Sequence, residues 1–126
     1  MKTIQTDTAP KAIGPYSQAV VINNLLFCSG QIAIDPKTNS LVEGNIETQT
    51  IQVLHNLQNI LKAASYNLSD VAKTTIYITD ITKFQIVNDL YTAFFGTHKP
   101  ARSTVEVSNL PKSALIEIEL VAAKKQ

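Results

Sequence analysis

The stretch PARSTVEVSNLPKSALIEIE, residues 100–119, contains two alternating strand patterns separated by a turn. In the first pattern Arg102 and Thr104 share one face, and in the second Glu117 and Glu119 share one face. If the two strands pair directly about the turn, Arg102 lies roughly opposite Glu119 and Thr104 roughly opposite Glu117. This register predicts that one arginine and two carboxylates share a sheet face. Spacing alone fits a structural ion pair as well as it fits a binding site.

The rest of the chain predicts alternating strands and helices. Residues 1–10 are polar and indicate a loose lead-in, and Asn23-Asn24 predicts a two-residue hairpin because asparagine tolerates positive φ. Pro100 prevents a helix from continuing into the arginine strand. The remaining predicted elements are strands at 16–22, 25–34 and 71–79, a helix at 46–65, and a second helix that Asp80 caps and Gly96 ends.

This order predicts an α+β fold with a mixed β-sheet and a right-handed parallel crossover. Two helices can cover only one face of such a sheet. The other face also carries many apolar side chains, so we expect an oligomer that buries it.

Length, charge and cysteine content argue against several classes of protein. The 126 residues predict one domain, 1–126, and the net charge of +1, with only Lys124 and Lys125 adjacent, offers no basic stripe to a nucleic acid. The sequence contains no apolar run of the kind found in a secretory signal or a membrane span, so we expect a cytoplasmic protein. One cysteine and two distant histidines predict no disulfide, no metal site and no cofactor.

The stretch around Arg102 resembles the RidA/YjgF-type reactive intermediate deaminases. The resemblance continues through IGPYSQAV (13–20), SGQIAIDPKT (29–38), SDVAKTTIYITD (69–80) and VNDLYTAFF (87–95), and therefore covers nearly the whole chain in order. It implies a chorismate-mutase-like α+β fold, a homotrimer, and ligand clefts between subunits.

The resemblance also implies residue roles. Arg102 matches the arginine that binds the substrate carboxylate, and Glu117 matches the carboxylate that activates water. The other residues that the resemblance places at the substrate are Tyr16, Ser29, Gly30, Asn88 and Thr104. Thr104 stands where many relatives have cysteine, which puts thiol chemistry in doubt. For Tyr16, packing beside Pro15 is favoured over a chemical role, because an aromatic wall needs no hydroxyl. Asn88 fits a solvent-facing helix residue as well as it fits a residue at the pocket edge.

The implied function is hydrolysis of 2-iminobutanoate and 2-iminopropanoate to 2-oxo acids and ammonia without a cofactor. Two alternatives remain open. One is a non-catalytic protein that binds small carboxylates through Arg102. The other is an endoribonuclease or translation inhibitor, an activity that the scattered basic residues do not favour.

Overall fold

A six-stranded sheet organises the chain. The computed structural model describes residues 1–125, so Gln126 of the predicted domain lies outside the described residues. In spatial order the strands of this sheet are β1 (Lys2–Ile4), β2 (Ala19–Ile22), β3 (Leu25–Gln31), β8 (Ile116–Ala123), β6 (Val71–Ile78) and β7 (Ala101–Glu106). A separate hairpin joins β4 (Ile34–Asp35) to β5 (Ser40–Leu41). The predicted α+β class is confirmed, and so is the Asn23-Asn24 hairpin, in which Asn23 has φ 53°.

The long helix α1 (Ile46–Ala63) forms where apolar residues recur at helical spacing. The Asn45 side chain accepts a hydrogen bond from the N–H of Thr48 at 3.1 Å, and Glu47 lies in the first turn. The inward face, which includes Val53, Leu57 and Ile60, is fully buried against the sheet.

The second helix, α2 (Phe84–Phe95), connects β6 to β7 and makes them parallel neighbours, as predicted. Asp80 was predicted to cap this helix, but its side chain accepts from the N–H of Thr82 and caps a short 3-10 turn, Ile81–Lys83, that precedes α2. The helix ends at Gly96, which has φ 66° and donates its N–H to the Thr92 carbonyl.

The predicted pairing of the arginine strand with the glutamate strand is wrong. β6 lies between them, with Thr74 opposite Arg102 on β7 and opposite Leu120 on β8. On β8, four alternate residues are at most 2% exposed: Ile116, Ile118, Leu120 and Ala122. The strand that buries one whole row of apolar side chains occupies the centre, and the mostly exposed β7 takes the edge.

The prediction of a loose lead-in is also wrong, because Lys2–Ile4 pairs with β2. The buried carboxamide of Gln18 holds the next segment. Its Oε1 accepts from the N–H of Thr6 at 2.7 Å, and its Nε2 donates to the carbonyls of Thr6 and Pro10 at 3.0 and 2.8 Å. A polar segment is thus ordered by one amide that satisfies its backbone groups.

Both helices pack on one face of the sheet, and the opposite face, here called the open face, is exposed. Four apolar side chains of the open face are between 41 and 44% exposed: Ile22, Leu25, Phe27 and Val105. The prediction that two helices leave an apolar sheet face uncovered is confirmed. Within residues 1–125, neither helix has the length and apolar character required to cross a bilayer.

Candidate functional site

Arg102 lies on β7 and reaches the face of the sheet that α2 covers. Its Cζ lies 4.9 Å from the ring centroid of Tyr91 and 5.1 Å from that of Phe84. Its Nη1 donates to Oδ1 of Asn88 at 2.9 Å. We call Phe84, Asn88 and Tyr91 the arginine seat. Among residues 1–125 the hydrogen-bond partners of the guanidinium include no carboxylate, so its charge is available to an anion.

A cavity of about 590 Å³, here called the Glu117 cavity, is the second feature. Glu117 lines it together with Tyr16, Ser29 and Gly30. The Oγ of Ser29 donates to the carbonyl of Ser17 at 2.6 Å, which ties the loop that carries Tyr16 to β3. This bond holds one wall of the cavity against the strand that forms its floor.

The side chain of Glu117 is half-buried. Burial first, and the charge of Glu119 second, raise the pKa of Glu117 above its usual value. The carboxylate of Glu119 accepts a hydrogen bond from the hydroxyl of Tyr77 at 3.2 Å. A carboxylate with a raised pKa is suited to accept a proton from water and return it.

Arg102 and Glu117 lie on opposite faces of the sheet within one chain. Arg102 shares its face with Thr74, whose hydroxyl contacts α2, whereas Glu117 lies opposite Tyr77 on the open face. Within one chain, burial and the charge of Glu119 account for the raised pKa of Glu117, and Arg102 is not among its causes. The two side chains that the resemblance assigns to catalysis therefore lie on different faces of one chain.

Comparison with known proteins identifies the family. A protein-family model described as Endoribonuclease L-PSP matches residues 6–124. A RutC family protein of Pyrococcus horikoshii is 54% identical over 124 residues, which cover 98% of each chain. Reactive Intermediate Deaminase A, chloroplastic, of Arabidopsis thaliana is 46% identical over 121 residues, which cover 96% of this chain and 65% of that protein. The crystal structure of the YjgF gene product of Escherichia coli superposes with a TM-score of 0.94 at 44% identity and covers 99% of this chain and 100% of that one. The chain belongs to the RidA/YjgF family.

The residues predicted from the RidA/YjgF resemblance divide between the two faces. Tyr16, Ser29 and Gly30 lie with Glu117 in its cavity. Asn88 contacts Arg102 directly, so it is not a plain solvent-facing residue. The half-buried Thr104, two residues from Arg102 on β7, faces the same way, opposite Ile76 of β6. Contact of any of these residues with a substrate stays a prediction.

Sequence reasoning missed the aromatic part of the arginine seat in this RidA/YjgF protein. Phe84 and Tyr91 match the apolar spacing of α2, and such spacing is typical of buried core residues. The available signal was that residues 84, 88 and 91 follow the i, i+4, i+7 spacing of one helix face, with Asn88 between two aromatic residues. Arg102 follows α2 after a short loop, and the parallel crossover brings it back onto that face.

The RidA/YjgF chain offers few groups for other chemistry. Within residues 1–125, no three His, Cys, Asp or Glu side chains form a group that could hold a metal ion. Cys28 is 6% exposed, and burial, followed by the charge of Glu119, raises its pKa to about 12. A thiol in this state is protonated at neutral pH and is not a nucleophile.

Proposed function

We propose that the protein hydrolyses short 2-imino acids, such as 2-iminobutanoate and 2-iminopropanoate, and their enamine tautomers to 2-oxo acids and ammonia. The observation that carries the proposal is that one chain provides both a guanidinium with no carboxylate partner among residues 1–125 and a half-buried carboxylate of raised pKa. The name of the Arabidopsis thaliana relative, a reactive intermediate deaminase, supports the same class of reaction.

The roles follow from the chemistry of the two side chains. The guanidinium of Arg102 binds the substrate carboxylate through the N–H donors that Asn88 leaves free. Glu117 accepts a proton from water as the water oxygen bonds to C2 of the protonated imine, which forms a carbinolamine. Glu117 then returns that proton to the amine nitrogen. The C–N bond breaks as the hydroxyl becomes the carbonyl, and the hydroxyl proton leaves with the nitrogen as ammonium.

Because Arg102 and Glu117 lie on opposite faces of the sheet, we propose that a complete site combines Arg102 of one copy with the Glu117 cavity of another. The exposed apolar side chains of the open face favour burial between copies. The family resemblance implies three copies. We therefore propose a homotrimer with a site at each of its three interfaces.

Catalysis is tested by adding purified protein to freshly generated 2-iminobutanoate and measuring 2-oxobutanoate and ammonia. We expect faster product formation than in buffer, a raised KM in Arg102→Ala, and a kcat about 10² to 10⁴ lower in Glu117→Gln. Binding of 2-oxobutanoate with no gain in rate, in the wild type and in Glu117→Gln alike, would instead establish a carboxylate-binding protein.

The shared site is tested by mixing the variants Arg102→Ala and Glu117→Gln, refolding them together, and assaying at a 2-iminobutanoate concentration far below the KM of Arg102→Ala. In a random equal mixture, about a quarter of the interfaces pair an intact Arg102 with an intact Glu117 from different chains. We expect activity to recover to about that fraction of the wild-type value. Each variant refolded alone is the control. Mixed oligomers that form but stay inactive would place both residues of a site in one chain.

A further inference from the structure

The arginine seat holds an exposed cation by its rings rather than by an opposite charge. Phe84, Asn88 and Tyr91 lie on one face of α2, and the guanidinium contacts both rings and the amide oxygen. An arginine on an edge strand otherwise has considerable rotamer freedom, which binding an anion must remove.

A carboxylate partner would also hold Arg102, but it would compete with any bound anion. Aromatic faces attract a cation and use none of its N–H donors. The amide oxygen of Asn88 takes one of the five N–H groups. The seat therefore fixes the guanidinium and leaves both its charge and most of its donors to a ligand.

Contacts with residues other than Arg102 also fix the ring of Tyr91. Its hydroxyl lies 2.7 Å from Oγ1 of Thr74, which is 1% exposed and lies directly opposite Arg102 on β6. The ring centroids of Phe95 and Tyr91 lie 4.8 Å apart. Tyr91 is 7% exposed, so its ring has little room to turn away from the guanidinium.

We propose that Phe84 and Tyr91, with Thr74 behind Tyr91, are positioning residues that set the affinity of Arg102 for the substrate carboxylate. This inference rests on the proposed function. Both rings contact the guanidinium itself, so we expect them to act through Arg102 on substrate binding rather than on proton transfer.

The test compares KM and kcat for 2-iminobutanoate, and the Kd of 2-oxobutanoate by titration calorimetry, in Phe84→Leu and Tyr91→Leu. Loss of one ring face predicts a rise of about 2- to 30-fold in KM and in Kd, with kcat changed less than about threefold. Phe84→Tyr keeps an aromatic ring at this position and is expected to keep the wild-type KM and Kd. Because Phe84 is only half-buried, its variants test the inference even where Tyr91→Leu fails to fold.

Tyr66→Leu is the matched control. Tyr66 is 5% exposed and its ring also faces a cation, Lys124, at 4.4 Å, but it lines neither the arginine seat nor the Glu117 cavity. We expect this variant to lose stability and to keep the wild-type KM and Kd. A rise in KM for Tyr66→Leu equal to that for Phe84→Leu would overturn the inference, because it would assign the effect to general loss of packing.

A double-mutant cycle separates positioning from other effects. If Phe84 acts through Arg102, Phe84→Leu raises the Kd of 2-oxobutanoate in the wild type but changes it less than about twofold in Arg102→Ala. An active wild type in which Phe84→Leu leaves KM and Kd unchanged would overturn the positioning role and leave the proposed function intact. A wild type that neither binds 2-oxobutanoate nor hydrolyses the imine would overturn both.

Discussion

Gly30 leaves room for the carboxylate of Glu117, and replacing it separates activity from stability. A Cβ built on Gly30 would lie 2.8 Å from Cδ and 3.1 Å from Cγ of Glu117. Gly30 does not have positive φ, so alanine fits the backbone of β3 without strain. The substitution Gly30→Ala therefore has one principal effect, which is to push the Glu117 side chain to another rotamer.

The expected changes in stability and in kcat differ in size. An off-rotamer side chain costs about 0.5 to 1.5 kcal/mol, and a strain-free Gly→Ala change stabilises by about 0.4 to 1 kcal/mol, so the free energy of unfolding should change by about 1 kcal/mol or less. In the proposed function, displacing Glu117 removes positioned proton transfer, which contributes about 10² to 10⁴ in rate. We expect kcat for 2-iminobutanoate to fall by that factor in Gly30→Ala, with a smaller effect on KM because the substitution leaves the contacts that hold Arg102 unchanged.

The measurements are chemical unfolding and steady-state hydrolysis of the imine, and Gly96→Ala is the control. No atom lies within 4 Å of a Cβ built on Gly96, but its φ of 66° and ψ of −125° form a conformation that favours glycine, so alanine costs about 1 to 3 kcal/mol of stability. We expect Gly96→Ala to lose stability and keep kcat, the reverse of Gly30→Ala. A Gly30→Ala protein with the wild-type kcat would refute the assignment of Glu117 as the base.

The structure supports three further predictions. Since the charge of Glu119 helps to raise the pKa of Glu117, Glu119→Gln should lower that pKa and move the acid limb of the kcat/KM profile to lower pH, and a limb that moves to higher pH contradicts this. Burial raises the pKa of Cys28 to about 12, so a disulfide reagent at pH 8 should react slowly with the native protein and rapidly in guanidinium chloride, and equal rates would show an accessible thiolate. Ser113 has φ 58°, so Ser113→Gly should raise the free energy of unfolding by about 0.5 to 1 kcal/mol in denaturant titration, and a decrease would show that its side chain stabilises the turn.

The sequence by itself determined several local elements of this protein. The 3.6-residue spacing places α1 within two residues of its observed end, and Gly96 and the Asn23-Asn24 pair mark a helix end and a hairpin. These features depend on backbone preferences and side-chain periodicity within a few residues, so they can be read along the chain. The exposed apolar sheet face was also predictable, because two helices cannot cover both sides.

Only the tertiary structure decided which residues meet. A strand pattern shows which side chains share a face but not which strand lies alongside, and the crossover through α2 places β6 between Arg102 and the strand of Glu117. That one placement puts Arg102 on the rings of α2, and Glu117 beside Gly30 on the open face. Pairing between distant strands is set by which strand buries more apolar surface at the centre of the sheet, and this depends on the whole chain rather than on any local stretch.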